Sequence, residues 1–246
     1  MLEINFKMTH TYRAVNFTIR GITKILCRID NEPLKQVPLS GPLIMVGNHI
    51  NFLEAPVVYP RLQPRRITGF VKSETWNNLA LGLLFDLWGA IPIRRGEADI
   101  NAMRQALHAL EDGEILALSP EGTRSGDGCL LRGHPGVVSL ALRSCAPILP
   151  MVFYGSEKFK YNLARLQRTD FHIVVGNIFY LDNPGRRTSG PVRQEITDEI
   201  MFQIAALLPS KYRGFYADLP SATERFLKFP INSRSNLSYG TSIYDE

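Results

Sequence analysis

Short apolar runs alternate with helical patterns along most of the chain beyond residue 42, and this alternation limits the possible folds more than any other feature. The predicted strands are residues 42–46, 67–71, 90–93, 114–118, 147–153 and 172–175. The predicted helices are residues 53–59, 75–87, 99–111, 137–144 and 192–208. Strands that alternate with helices form βαβ units with right-handed crossovers. The pattern therefore predicts an α/β fold with a mostly parallel β-sheet flanked by helices.

An N-terminal amphipathic helix is predicted ahead of the sheet, over residues 12–28. Apolar side chains recur along it at helical spacing, at Val15, Ile19, Ile22, Ile25 and Leu26. Basic side chains line another side, at Arg13, Arg20, Lys24 and Arg28. Such a helix can lie in a membrane interface. It can equally pack on the domain with its basic face in water, and the pattern alone leaves both interpretations open.

The length of 246 residues fits one large domain, or one domain with a short appendage. We divide the chain into an N-terminal helical, membrane-associating segment (residues 1–40), an α/β domain (41–219) and a polar C-terminal tail (220–246) that lies on the surface or is disordered. No run of roughly 20 predominantly apolar residues is present, so the sequence contains no predicted membrane span. The first residues lack the apolar region of a signal peptide.

The net charge and the spacing of the cysteines and histidines indicate which partners, compartment and metal sites the sequence favours. A net charge of +5 favours acidic partners such as phospholipid surfaces, phosphorylated metabolites or nucleic acid. Basic residues are not interleaved with aromatic ones along one element, so we predict no nucleic-acid partner. Three cysteines without CxxC spacing fit a reducing, cytoplasmic compartment. The five histidines show neither HExxH nor zinc-ligand spacing, so no metal site is predicted.

Polar side chains collect directly after four of the predicted strands. They are His49 and Glu54 after the first, Lys72 after the second, Arg94 and Arg95 after the third, and the run Glu121, Gly122, Thr123 and Arg124 after the fourth. In an open parallel sheet, ligands bind at the carboxyl ends of the strands. We therefore expect these loops to form one site at one edge of the sheet.

His49 and Glu54 have two possible roles. They can form a base and the carboxylate that orients it and stabilises its imidazolium form. Alternatively, Asn51 and Glu54 form a capping box at the start of a helix, and His49 is structural. Arg124 can bind a phosphate through two hydrogen bonds, or it can pair with Glu121 in an ordinary surface turn. Taken singly, each of these motifs is weak.

Taken in order, the motifs resemble those of the glycerophospholipid acyltransferase family, best known from the lysophosphatidic acid acyltransferases. That family has a His-x4-Asp motif, a Lys-containing segment that leads to Gly-x-Ile-x-x-x-Arg, a Glu-Gly-Thr-Arg motif and an apolar strand that contains proline. The corresponding segments here are NHINFLE (48–54), KSETW (72–76) with GAIPIRR (89–95), SPEGTRS (119–125) and APILPMVFYG (146–155). The match covers roughly residues 40–155 in the right order and spacing.

The resemblance implies a role for each matched residue. His49 is the expected general base and Glu54 its carboxylate partner. Arg95 and Arg124 are expected to contact the phosphate of the acceptor, Glu121, Gly122 and Thr123 to shape that pocket, and Lys72 to lie close by. The implied reaction moves a fatty acyl group from acyl-coenzyme A or acyl carrier protein to lysophosphatidic acid, without a cofactor. The implied location is the inner face of the membrane, with the N-terminal helix on the lipid.

Two departures from the family pattern accompany the match. Glu54 stands where the family usually has Asp, and His134 stands where it often has Lys. Other acceptors therefore stay open, namely glycerol 3-phosphate, another lysophospholipid or a non-glycerol alcohol. A catalytically weak lipid-binding module is a further alternative. Hydrolysis of acyl esters is disfavoured because these motifs contain no serine or cysteine nucleophile.

Overall fold

The computed structural model describes residues 10–94, 99–182 and 189–238. The helices within these ranges are α1 (His10–Leu26), α2 (Glu54–Val58), α3 (Leu79–Leu87), α4 (Ile100–Glu111), α5 (Gly136–Ser144), α6 (Phe159–Ala164) and α7 (Gly190–Ala205). The strands are β1 (Cys27–Ile29), β2 (Leu43–Val46), β3 (Ile67–Lys72), β4 (Ile91–Ile93), β5 (Ile115–Leu118), β6 (Ile148–Tyr154), β7 (Thr169–Val175), β8 (Tyr180–Leu181) and β9 (Leu227–Lys228).

Seven of these strands form one sheet in the order β1-β7-β6-β2-β5-β3-β4. β2 lies in its middle and pairs in parallel with β5 and β6. β3 pairs in parallel with β4 and β5. β7 runs antiparallel to β6, and β1 runs parallel to β7. The mostly parallel α/β sheet is thus as predicted, and the carboxyl ends of β2, β3, β4, β5 and β6 share one edge with the beginnings of β7 and β1.

Helices cover both faces of this sheet. Successive residues of a strand point to opposite faces, and in β2 Ile44 and Val46 join one hydrophobic cluster while Leu43 and Met45 join the other. The first cluster contains the apolar side chains of α4, α5 and α7, and the second contains those of α2 and of the segment before β2. All four of these β2 side chains are buried. A strand buried on both faces reads as a continuous apolar run, which is the pattern seen at residues 42–46.

All six predicted strands and all five predicted helices are present in the fold. β7 begins at Thr169, three residues earlier than the sequence predicts. The sequence did not predict β1, α6 or the small antiparallel pair of β8 and β9. β1 lies within the segment that we separated as residues 1–40, yet it pairs with β7 in the main sheet. These elements are two to six residues long, which is too short for a periodic pattern.

The predicted N-terminal helix is present as α1, and it turns a mainly polar side towards the domain. Its buried residues are Tyr12, Asn16 and Thr23. The Asn16 amide accepts a hydrogen bond from the Trp88 indole N–H at 3.0 Å. Phe17, in contrast, is 81% exposed, and Ile22 and Ile25 are exposed as well. Within the described part of the chain, no helix is both long and apolar enough to cross a membrane.

The C-terminal segment differs from the polar tail that the sequence predicts. Its described part, up to residue 238, packs on the domain, where β9 pairs with β8 and Asn236 is fully buried. Asn236 donates to the side-chain oxygen of Gln203 at 3.0 Å and accepts from the backbone N–H of Asn177 at 2.6 Å. A polar segment can be ordered where its polar groups find hydrogen-bond partners. Here buried polar groups of the domain supply those partners.

Candidate active site

The loop after β2 carries His49 and is held by hydrogen bonds to Glu121, Ser125 and Phe153. The backbone N–H of His49 donates to the Glu121 carboxylate at 2.9 Å, and its carbonyl accepts from the Ser125 N–H at 2.8 Å. Asn48, directly before it, exchanges two hydrogen bonds of 2.8 Å with the backbone of Phe153 in β6. The imidazole is therefore presented from a fixed backbone at the shared carboxyl edge, between the loops that follow β5 and β6.

The Glu54 carboxylate joins the His49 ring to the start of α2. One oxygen, Oε2, lies 3.1 Å from His49 Nδ1. The other oxygen, Oε1, accepts the backbone N–H groups of Ile50 at 3.2 Å and Asn51 at 3.0 Å. Glu54 is buried, and the His49 side chain is 28% exposed. One oxygen of Glu54 therefore faces the histidine, while the other accepts backbone N–H groups just before the helix. The helix begins at Glu54 with Leu53 as its N-cap, and the Asn51 side chain accepts the Leu53 N–H at 2.8 Å, so the predicted capping box with Asn51 as N-cap is not formed.

Arg124 lies on the opposite side of the imidazole. Its Nε is 3.3 Å from His49 Nε2. A guanidinium can only donate and an ionised carboxylate can only accept. The arrangement is therefore satisfied by the tautomer in which Nδ1 carries the proton towards Glu54 and the lone pair of Nε2 accepts the Arg124 N–H. This places the basic nitrogen of His49 beside a cation, on the side of the ring that faces away from Glu54.

Glu121 is buried, 2% exposed, and both of its oxygens accept backbone hydrogen bonds. Besides the His49 N–H, it accepts the N–H of Leu131 at 2.8 Å. Burial raises the pKa of the Glu121 carboxyl to about 7, although these two N–H groups and the nearby His49 act in the opposite direction. Glu121 therefore joins the loop after β2 to the segment that contains Leu131. Its role in shaping the acceptor pocket, which the family resemblance implies, stays a prediction.

The remaining predicted residues lie at or near the same edge, with one outside the described residues. Lys72 is the last residue of β3 and is exposed. Gly122 and Thr123 are exposed in the turn after β5, and Gly122 has a φ of +65°, a conformation that glycine adopts without strain. Arg94 directly follows β4, and Arg95 lies outside the described residues.

Gly47, Asn48 and Asn51 position the loop. Sequence reasoning gave no role to Gly47 or Asn48 and placed Asn51 only in a capping box. A Cβ at Gly47 would collide with the backbone carbonyl of Met151, so only glycine fits this approach of two chains. Asn51 donates to the backbone carbonyl of Ser156 at 2.9 Å. Asn48 and Asn51 belong to the NHINFLE motif, but their partners are more than 100 positions away in the sequence.

The donor atoms available here suit acid–base chemistry better than metal binding. Across the described ranges, no group of three or more His, Cys, Asp or Glu side chains is arranged to hold a metal ion. An imidazole with a carboxylate at one nitrogen and a guanidinium at the other has the groups needed to remove a proton from a hydroxyl and to bind an anion, once the guanidinium leaves the imidazole lone pair.

Comparison with known proteins supports an assignment to a family. The family model described as acyltransferase matches residues 28–154, slightly more than half of the chain. A 1-acyl-sn-glycerol-3-phosphate acyltransferase of Limnanthes alba is 39% identical over 118 residues, which are 46% of this chain and 41% of that protein. A Bacillus subtilis protein of the same name is 22% identical over 155 residues, covering 63% of this chain and 74% of that one.

The fold also has a solved counterpart. The structure of the 1-acyl-sn-glycerophosphate acyltransferase PlsC from Thermotoga maritima aligns with a TM-score of 0.57 at 18% identity, covering 80% of each chain. The chain spans about two fifths of the length of the Limnanthes relative. The matched segment contains β2, β3, β4, β5 and β6 and with them the loops that carry His49, Glu54 and Arg124. The chain therefore belongs to the acyltransferase family.

Proposed function

We propose that this chain transfers a fatty acyl group from an acyl thioester to the free hydroxyl of lysophosphatidic acid, which yields phosphatidic acid. The observation that carries the proposal is the position of His49 between Glu54, 3.1 Å from Nδ1, and Arg124, 3.3 Å from Nε2. This arrangement suits an acceptor that bears both a hydroxyl and a phosphate. The Limnanthes and Bacillus relatives are named for the same acceptor class, which supports the proposal.

In the proposed mechanism, His49 Nε2 takes the proton of the acceptor hydroxyl while that oxygen attacks the thioester carbonyl. The new C–O ester bond forms, the C–S bond breaks, and the imidazolium returns its proton to the leaving thiolate. The Glu54 carboxylate stabilises the imidazolium through Nδ1–H. Transfer is direct, without an acyl-enzyme, and the chemistry of these residues requires no metal or redox cofactor.

The cations of the site bind the acceptor phosphate in this proposal. Arg124 moves from the His49 ring to the phosphate, which frees the lone pair at Nε2 and holds the hydroxyl within its reach. Lys72 adds positive charge at the same edge, and the family resemblance assigns Arg95 to the same phosphate. Holding the two reacting groups in position supplies much of the rate, because it replaces an encounter in solution with a reaction between fixed neighbours.

Membrane association is the second part of the proposal. The exposed side of α1 carries Phe17, Ile22 and Ile25 next to the basic residues Arg20 and Lys24. Apolar and basic side chains on one surface suit the interface of an anionic membrane. We place this contact at the cytoplasmic face, which is consistent with three free cysteines in the fold.

The decisive experiment is a transfer assay with purified protein and acyl-coenzyme A. Lysophosphatidic acid, glycerol 3-phosphate and lysolipids with neutral headgroups serve as acceptors, each with wild type and His49→Ala. We expect acylation of lysophosphatidic acid that falls about 10²–10⁴-fold in His49→Ala, which is the usual loss when a general base is removed. His108→Ala is the matched control, because His108 is exposed on α4 and should leave the rate unchanged.

Other outcomes redirect the proposal. Preferred acylation of glycerol 3-phosphate or of another lysolipid would keep the chemistry and replace the acceptor. No transfer with either acyl-coenzyme A or acyl carrier protein would contradict the activity and favour a lipid-binding module. Glu54→Asp then discriminates further, because a large gain in rate would mark Glu54 as an impaired position, while a loss would show a site built around the longer side chain.

A further inference from the structure

The α6 corner, which we define as residues 160–168, combines exposed apolar and basic side chains. Leu166 is 95% exposed, and Tyr161 and Leu163 are exposed as well. Arg165 places its guanidinium 4.0 Å from the centre of the Tyr161 ring. From Lys158 to Thr169 the sequence has four basic residues and no acidic one. A positively charged, partly apolar surface of this kind complements a negatively charged, partly apolar one.

Leu166 stands in a conformation that leucine rarely adopts. Its φ is +55°, and it follows the last turn of α6. The backbone N–H of Gln167 donates to the Asn162 carbonyl at 2.9 Å, and that of Leu166 donates to Leu163 at 3.1 Å. This pair of bonds is the Schellman motif, in which glycine or asparagine usually occupies the left-handed position. Because the Leu166 side chain is 95% exposed, it makes few packing contacts that could offset this backbone strain. Residues in such strained backbone conformations cluster at functional sites.

The α6 corner lies beside the active site edge and beside α1. Because β7 is antiparallel to β6 and β1 is parallel to β7, both β7 and β1 begin where β2 and β6 end. Arg168, directly before β7, donates to the backbone carbonyls of Lys24 at 2.9 Å and Cys27 at 2.6 Å. The corner is therefore fixed against the C-terminal end of α1, near the exposed Ile25.

We propose that the α6 corner is a docking surface for an anionic phospholipid membrane, in which Leu166 inserts between the lipid headgroups while Lys160 and Arg165 contact their phosphates. The proposal rests on the proposed function, since it brings the active site edge to the surface in which the lipid acceptor resides. It extends the membrane contact beyond α1 to a second segment, about 140 residues later in the chain.

Leu166→Asn tests this surface without endangering the fold. Asparagine tolerates the left-handed conformation better than leucine, so we expect thermal stability to be unchanged or higher. We expect binding to mixed phosphatidylglycerol–phosphatidylcholine vesicles, measured by co-sedimentation, to weaken about tenfold because a buried leucine is lost from the interface. In Lys160→Gln/Arg165→Gln, the preference for these vesicles over pure phosphatidylcholine should fall.

The matched control is Leu39→Asn. Leu39 is 88% exposed, but it lies before β2 and therefore at the opposite edge of the sheet. An equal loss of binding in Leu39→Asn, or wild-type binding in Leu166→Asn, would overturn the proposal. Self-association without vesicles that Leu166→Asn abolishes would assign the surface to a second copy of the chain and would also overturn it.

Vesicle binding and acyl transfer separate this proposal from the proposed function. A protein that binds anionic vesicles through Leu166 but transfers no acyl group would support the docking surface and contradict the activity. The reverse result, acyl transfer with no effect of Leu166→Asn on vesicle binding, would support the activity and contradict the docking surface. The double variant Phe17→Ser/Ile25→Ser measures the share of α1 in the same assay.

Discussion

At the scale of single residues, two buried carboxylates beside His49 make different contacts. Glu54 faces the His49 ring through one oxygen, whereas Glu121 uses both oxygens to hold backbone N–H groups of His49 and Leu131. Because Glu121 fixes the backbone of His49, removing its side chain should also shift the imidazole. The position of His49 therefore depends on a residue that does not touch its ring.

Glu121 should make the stability of the protein depend on pH. Its pKa is about 7 in the fold and ordinary, near 4.3, in the unfolded chain, so between these values the folded state binds more protons. Its contribution to stability is complete below pH about 4 and is lost as the pH rises towards 7. We expect wild type to lose roughly 3 kcal/mol relative to Glu121→Gln over that range, as measured by urea unfolding at several pH values.

Glu111→Gln is the control for replacing a carboxylate by an amide, because Glu111 is exposed on α4 and lies outside the site. Parallel profiles for wild type and Glu121→Gln would show that Glu121 is ionised throughout, with its two N–H donors outweighing the effect of burial. Either variant is compared with wild type at each pH, so titrations common to all proteins cancel.

At the scale of elements, α1 is attached to the domain by its polar side. Asn16 accepts the Trp88 indole N–H and donates to the Tyr12 carbonyl at 2.9 Å. Asn16→Leu would leave a buried N–H without a partner, and we expect a loss of about 1–3 kcal/mol in the free energy of unfolding. Vesicle binding should stay at the wild-type level, because the exposed side of the helix is untouched.

Thr18→Ala is the matched control on the same helix, since Thr18 is exposed and bonds only to its own helix in the described structure. We expect a change within about 0.5 kcal/mol, as is usual for surface positions. Equal stability of Asn16→Leu and wild type would mean that the Trp88 indole finds another acceptor and that the polar contact does not hold α1 in place.

The strands that could be predicted from the sequence are those whose apolar pattern is long enough to recognise. β2, β5 and β6 are apolar runs bounded by polar or turn residues, and all were predicted close to their observed bounds. β1 is three residues long and follows a helix directly, so no pattern marks it. The direction of β7 was also missed, because alternating side chains in a strand are the same whichever way the strand runs.

The candidate site was predictable in its residue types but not in its contacts. The family motifs pointed to His49, Glu54 and Arg124, and the fold brings these three side chains together. The bonds of Glu121 go to backbone groups, and any residue type supplies an N–H, so no motif could point to Leu131. The buried partners of Asn48 and Asn51 are equally invisible in the sequence, because they depend on the order of strands in the sheet.

At the scale of the whole molecule, the C-terminal segment packs against α7 and the end of β7. Asn236 is fully buried and bonds to Gln203 of α7 and to Asn177 after β7. Asn236→Ala removes the partner of several buried polar groups at once, and each such group costs about 1–3 kcal/mol when unsatisfied. We expect a loss of at least about 2 kcal/mol in the free energy of unfolding, measured with denaturant.

Ser221→Ala serves as the control in the same segment, because the exposed Ser221 hydroxyl bonds only to the nearby Asp218 carbonyl in the described structure. It should leave the midpoint of unfolding almost unchanged. A comparably small effect of Asn236→Ala would favour the prediction that residues beyond 220 form a polar tail on the surface.

The reversal of chain direction at β7 has a kinetic consequence. It brings the end of α1 and the α6 corner to the edge that carries His49. Under the proposed function, an acceptor dissolved in the bilayer then reaches the base by lateral diffusion, in two dimensions, without entering water. The rate would follow the mole fraction of acceptor in the lipid rather than its bulk concentration, and adding inert lipid at constant acceptor would slow the enzyme by dilution within the surface.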